Sequence, residues 1–296
     1  MHARNILVAI GRDADAARVL EKVARLVRPG CKVHVVRVLH DPRVELRGVE
    51  ASERANLKTL LMQAEQDELQ TLLDPYRGRL PDVTALAVWN RRFYRGVLDV
   101  AETMGADLIV RQADTTSRIA EIVRTPDDWH LLREARCAVL LVKSGPWIEH
   151  PTLLAAVDVL DDDHLALSTN VFEVARAFAG QLSGRVELAS AFPSLQPWPG
   201  DIGAACDYGR LRDSMLGDID SRQKALQGAA TSGMRRHVVE GEPAVVLERL
   251  AEELAAEIVV IGTAARRGLA ALVLGNTSEA LLQRCHRDVL VVRDAA

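Results

Sequence analysis

The chain has 296 residues, 48% of them apolar and 26% charged, with a formal net charge of −4. That is enough for two ordinary domain cores, and it lacks the clustered positive surface that nucleic acid requires. Its apolar runs stop short of the roughly 18–20 residues that cross a bilayer, and no signal-peptide pattern precedes Asn5. Four scattered cysteines, Cys31, Cys137, Cys206 and Cys285, suit a reducing compartment rather than a disulfide framework. A cytoplasmic protein with no stable membrane insertion is expected.

The run Asn5-Ile-Leu-Val-Ala-Ile10 has the continuous apolar character of a strand covered on both faces. Leu20, Val23, Ala24 and Val27 then recur at helical spacing until Pro29-Gly30 stops the helix. A strand over Lys32 to Leu39 follows. The segment from Ser52 to Leu73 puts Leu57, Leu60, Leu61 and Ala64 on one helical stripe. Val83 to Val88 reads as a third strand, and Val97, Val100, Ala101 and Met104 as the next apolar stripe. Strand and helix alternate, which predicts parallel strands joined by crossover helices.

The second half repeats this order. The strand Asp107-Leu-Ile-Val110 returns as Glu257-Ile-Val-Val260, and Ala138 to Val142 returns as Asp288 to Val292, each shifted by 150 residues (257 − 107; 288 − 138). A strand at Leu153 to Val157, a helix carrying Leu167, Val171, Val174, Phe178 and Leu182, a strand at Val186 to Ala191 and a helix carrying Leu247, Leu250, Ala251 and Leu254 complete the copy. The fold class is therefore α/β, two tandem doubly wound five-stranded parallel-sheet domains over residues 1–146 and 147–296. The boundary falls in Ser144-Gly145-Pro146-Trp147-Ile148-Glu149-His150-Pro151, where two prolines and a glycine forbid a continuing helix. An apolar Trp147 there predicts domains that pack together. The insertion from Phe192 to Tyr208, with Trp198 and Ile202 among prolines and glycines, could fold over the second domain's ligand end.

In such sheets a ligand sits outside the carboxyl ends of the strands where their order reverses. In the second domain the loops there begin at Asp158 and Gly262. Gly262 allows close backbone approach. Gly275 precedes Asn276-Thr277-Ser278-Glu279, a helix start whose amides and hydroxyls can receive phosphate oxygens, and Arg266 and Arg267 could add charge to the same anion. Asp158 is placed to accept hydrogen bonds from a ribose or base, or to hold a metal through water. The same residues admit a structural reading, with glycines serving packing, Asn276 or Thr277 an N-cap, and the arginines solvated. At the corresponding first-half positions stand Gln112, Arg118 and Thr125 in place of Gly262, Gly268 and Gly275. His286-Arg287-Asp288 leads into a buried strand and is not a kinase loop; no cysteine–histidine spacing matches zinc. Trp129 and His130 are read as packing against the domain interface.

These residues resemble the tandem universal stress proteins, and among them the bacterial type E proteins. The resemblance spans the chain. It rests on the opening strand and helix of each half, on Val239-Glu240-Gly241-Glu242-Pro243, on Thr125-Pro126-Asp127-Asp128-Trp129-His130-Leu131-Leu132-Arg133, on Gly275-Asn276-Thr277-Ser278-Glu279, and above all on Val259 to Arg293. Family members with a nucleotide site carry G-x2-G-x9-G-[S/T] and an aspartate after the first strand. Laid on this sequence, the glycine positions are Gly262, Ala265 and Gly275, the hydroxyl position is Asn276 followed by Thr277, and the aspartate is Asp158. Ala265 puts a methyl group where the family relies on close backbone approach, which works against triphosphate binding.

The resemblance thus implies a site for ATP or ADP with magnesium, or a related small ligand, formed by Val157, Asp158, Gly262, Thr263, Ala265, Arg266, Gly268, Gly275, Asn276, Thr277 and Ser278. The first domain departs further, with Gly11 in the aspartate position and Gln112, Thr115, Thr125 and Pro126 in the motif. Pro126 has no amide hydrogen, and Asp127 and Asp128 would repel a phosphate while suiting a helix start; no nucleotide is expected there. The expected function is a non-enzymatic stress-response sensor or regulator. The alternatives are a slow ATP hydrolase, for which no general base is evident, and a carrier of an apolar ligand. The resemblance also implies an intramolecular pseudo-dimer paired through Val139 to Lys143 and Val289 to Arg293, and leaves a homodimer open.

Overall fold

The computed structural model of the chain describes residues 3–11, 16–46, 48, 50–80, 82–112, 126–143, 145–195, 207–228, 233–263 and 275–293. The chain divides into two compact units, His2–Pro146 and Trp147–Ala296.

The first unit runs β1 (Asn5–Ala9), α1 (Ala16–Leu26), β2 (Lys32–Leu39), α2 (Ala51–Leu73), β3 (Val83–Trp89), α3 (Phe93–Met104), β4 (Leu108–Gln112), α4 (Pro126–Glu134) and β5 (Ala138–Val142). Its strands lie in the order β3-β2-β1-β4-β5, parallel at every pairing, with Ile6 opposite both Val33 and Leu108. Ile6, Leu7, Val8 and Ala9 are fully buried, as a central strand covered on both faces requires. Right-handed crossovers send the chain one way from β1 and the other way from β4, so the strand order reverses between β1 and β4.

The second unit repeats this plan. It runs β6 (Thr152–Ala156), α5 (Leu165–Leu182), β7 (Arg185–Phe192), α6 (Tyr208–Gln227), β8 (Arg236–Glu240), α7 (Pro243–Glu253), β9 (Ile258–Thr263), α8 (Asn276–Arg284) and β10 (Asp288–Arg293). The order is β10-β9-β6-β7-β8, again parallel, and the reversal lies between β6 and β9. The predicted stripe of α5 is buried along its whole length, from Leu167 through Val171, Val174 and Phe178 to Leu182. Before α7 the chain turns at Gly241, whose φ of +138° is a conformation that side chains avoid. Glu242 then caps the helix by accepting from the Ala244 and Val245 amides, and Pro243 occupies the first turn, where a missing N–H is harmless.

One expectation about packing needs correction. In α2 the residues that face the sheet are Glu65, Leu69 and Leu73. Leu57 and Leu60, predicted for that face, are 39% and 66% exposed, and Ala64 is exposed as well. The physical reason is length. A helix of 23 residues extends about 34 Å at 1.5 Å per residue, longer than the roughly 26 Å of the eight-residue β2, so its amino-terminal turns run past the ends of the strands. Glu65 is tolerated in that buried face because it pairs with Arg37 of β2, as a buried charge must. Trp147 makes two contacts within the second unit. Its indole N–H donates to Asp288 Oδ2 at 2.7 Å, and its ring meets Phe178 edge-on at 6.4 Å. His130 likewise stacks at 4.5 Å on Tyr94 of its own unit.

Candidate functional site

A cleft of about 940 Å³ opens in the second unit at the carboxyl ends of β6 and β9, where the strand order reverses. Its first wall is the turn that follows β6. Ser168, in the opening turn of α5, clamps that turn at both backbone groups. The Asp158 amide donates to Ser168 Oγ at 3.1 Å, and the Ser168 hydroxyl donates to the Asp158 carbonyl at 2.7 Å. The carboxylate of Asp158 is thereby held at the cleft, where Oδ1 accepts from the Leu160 amide at 3.1 Å and Oδ2 lies 2.8 Å from His164 Nδ1.

His164 was not singled out in the sequence. It ends a 3-10 turn, Asp162–His164, which Asp161 caps by accepting from the Asp163 amide at 2.9 Å. The hydrogen bond to Asp158 raises the imidazole pKa above its ordinary value; burial opposes this, and the charges of Asp158, Asp161 and Asp163 assist it. Arg222 of α6 reaches over the same turn, 2.6 Å from Asp162 Oδ1 and 3.1 Å from the Val159 carbonyl. The legible signal was the Asp161-Asp-Asp-His164 run that begins three residues after Asp158, an Asx-capped turn able to bring a histidine back to the strand end.

The second wall is built by β9 and the start of α8. Gly262, at the end of β9, has its missing side chain replaced by a neighbour, since an added Cβ would come within 2.7 Å of Leu167 Cγ. Its glycine character therefore serves the close packing of α5 on β9. Its carbonyl accepts from the Ser278 hydroxyl at 2.9 Å, tying the strand end to α8. Gly275 is the N-cap of α8, with no side-chain cap, and an added Cβ there would meet nothing within 4 Å. Asn276, expected as a capping residue, is instead the first helical residue, because Gly275 already occupies the cap. The early amides of α8 thus carry the partial positive charge of a helix start toward the cleft.

Val157, Asp158, Gly262, Gly275, Asn276, Thr277 and Ser278 all line this cleft. Thr263 does not. Its hydroxyl reaches the Val292 carbonyl at 3.4 Å inside the sheet. Ala265, Arg266, Arg267 and Gly268, like Trp198 and Ile202, lie outside the described residues. The floor, missed as such in the sequence, is apolar: Leu167, Val171, Leu247, Ile261 and Leu281, flanked by Pro193 and Pro243. Asp161, Asp162 and Asp163 stand at the rim. Among the described residues no three His, Cys, Asp or Glu side chains gather as metal ligands, and no helix is long and apolar enough to cross a membrane.

The corresponding end of the first unit is built differently. Gly11 stands where the second unit has Asp158. Arg111 of β4 meets Asp128 of α4, Nε to Oδ1 at 3.2 Å, with both side chains less than a tenth exposed. The guanidinium carbon lies 4.5 Å from the Phe93 ring centroid.

A model of the universal stress protein family matches residues 2–143 and again residues 152–293. The chain is similar to a universal stress protein E homolog of Haemophilus influenzae, 28% identical over 308 residues, covering 99% of this chain and 98% of the relative. It is also 28% identical over 301 residues to universal stress protein E of Escherichia coli K12, covering 98% and 94% of the two chains. Among solved structures, one of a protein of unknown function from Pseudomonas aeruginosa PAO1 superposes with a TM-score of 0.75 at 25% identity, covering 99% and 93%. A universal stress protein from Archaeoglobus fulgidus shares the fold over the whole of both chains, with a TM-score of 0.64 at 14% identity. The chain belongs to the universal stress protein family, as a tandem member with one family module in each half.

Proposed function

We propose that the second unit binds ATP, ADP or a related phosphate-bearing ligand in the cleft between β6 and β9, and that the chain acts as a non-enzymatic sensor or regulator in the cytoplasm. The observation that carries this reading is the pairing of two opposed walls across one cleft. The uncapped start of α8, with open space at Gly275, suits phosphate oxygens. Asp158, fixed by Ser168 and His164, keeps lone pairs for ribose or base hydroxyls and amines. Asp161, Asp162 and Asp163 at the rim would oppose a bare triphosphate, so magnesium would arrive bound to the phosphates rather than in a protein cage.

The test is calorimetric titration of the intact protein with ATP and ADP, with and without magnesium, beside the Asp158→Ala variant. Binding that weakens at least about tenfold in the variant, at unchanged circular dichroism, is expected from loss of a charge-assisted contact of roughly 1.5–3 kcal/mol. Equal affinity in both proteins, or no binding at millimolar nucleotide, refutes the reading. The apolar floor of Leu167, Val171, Leu247, Ile261 and Leu281 supports a second reading, a carrier of an apolar ligand. Native mass spectrometry of the purified protein separates the two, since a nucleotide and an apolar molecule differ in mass and in their response to Asp158→Ala.

A further inference from the structure

We infer that the first unit holds an anion seat at the carboxyl end of β4 and fills it with its own carboxylate, Asp128, held against Arg111, whose guanidinium lies over the Phe93 ring. The repeat carries the assignment. With the 150-residue offset between the two halves, Arg111 corresponds to Ile261, Asp128 to Ser278 and Phe93 to Pro243 (261 − 111; 278 − 128; 243 − 93), and all three second-unit residues line the open cleft. Three residues that line the open cleft in one copy are therefore replaced in the other by a cation that meets both an anion and an aromatic ring. Arg111 Nε lies 3.2 Å from Asp128 Oδ1, and the guanidinium lies over the Phe93 ring at 4.5 Å.

Asp128 is also in the first turn of α4, so its charge occupies the place at a helix start that suits an anion. A buried arginine obliges an anion to be present, and here the chain supplies it. The seat belongs to the class that takes a carboxylate or a small phosphate-type oxyanion, and the internal carboxylate makes the first unit independent of an external one. The inference rests on the repeat and on the Arg111–Asp128 geometry, not on the nucleotide reading of the second unit, so either can fail without the other.

The experiment compares the full-length protein, Asp128→Ser, and the double variant Arg111→Ile with Asp128→Ser, which installs the second unit's own residues. Each is melted in chloride and in inorganic phosphate at matched ionic strength. The three proteins share one second unit, so any phosphate effect there is common to all. In Asp128→Ser, phosphate can take the empty seat beside Arg111, and at about ten times its Kd it raises Tm by roughly 3–5 °C more than in the other two. If Asp128→Ser does not fold in chloride, recovery of its circular dichroism in phosphate carries the same readout, and failure to fold in phosphate as well counts against the inference. Equal phosphate response in all three proteins overturns the inference. So does a response that persists undiminished in the double variant, because the anion would then be bound elsewhere.

Discussion

At the residue scale the second cleft is governed by two contacts that have nothing to do with ligand in the resting protein. The first is the His164–Asp158 pair. Its raised imidazole pKa means that the folded state holds the proton more tightly than the unfolded chain does. The pair's contribution is therefore fully present below the unfolded value near 6.5, and it is lost as pH rises through the higher folded value. The His164 and Asp158 side chains are 39% and 51% exposed, so the contribution at low pH is at most about 1 kcal/mol. Urea unfolding of the wild type and His164→Gln should differ most near pH 5.5 and converge by about pH 8.5. A gap that widens toward alkaline pH would contradict the sign.

The second contact is Leu167 in the space beside Gly262. Gly262→Ala puts a methyl group against that side chain and should destabilise the protein by about 1–3 kcal/mol, the usual range for overpacking. Leu167→Ala removes the obstruction, so the alanine at position 262 should then be nearly neutral. A double-mutant cycle in urea measures the coupling, and additive effects would show that some other neighbour limits the site.

At the scale of elements, apolar runs and helical period located most strands and helices but not α6 or β8, and not always the right face. The stripe of α5 is legible because the helix packs against four strands, β6, β7, β9 and β10, and is buried from end to end. In α2 the period continues into amino-terminal turns where Leu57 and Leu60 are exposed, and sequence periodicity carries no information about where the sheet ends. Leu69→Ala should therefore cost about 2–5 kcal/mol, as a fully buried leucine does. Leu60→Glu, at 66% exposure, should stay within about 0.5 kcal/mol of the wild type. Thermal melts of the two variants decide it, and a collapse caused by Leu60→Glu would restore the face read from the sequence.

Legibility of the site followed the same physics. Strand ends and helix starts follow from the apolar pattern, so Asp158 and Gly262 could be placed after the first and fourth strands of the second half and Gly275 before a helix start. What the spacing could not convey is how side chains are shared once the chain folds. Ser278 turns back to the Gly262 carbonyl, Thr263 turns into the sheet, and His164 returns to Asp158 from six residues away in sequence (164 − 158). Such contacts depend on turn geometry and tertiary neighbours, which neither composition nor period encodes.

For the whole molecule, the consequential fact is that the chain divides into two compact units of the same strand order, and the cleft described above lies in the second. A chain of 296 residues exceeds the size at which all-or-none unfolding is the rule, and domains generally fold as units. A ligand held by the second unit should therefore stabilise that unit alone. Native-state hydrogen exchange resolves this strand by strand. With nucleotide at about 100 times its Kd, amides that exchange by unfolding of the second unit should slow about 100-fold, and these include the β6 and β9 ladder from Leu153 and Ile258 onward. The slowest amides of β1 and β4, around Ile6 and Leu108, should exchange at unchanged rates. Equal slowing in both ladders would mean that the two cores unfold as one, and the ligand's free energy would then be distributed over the entire chain.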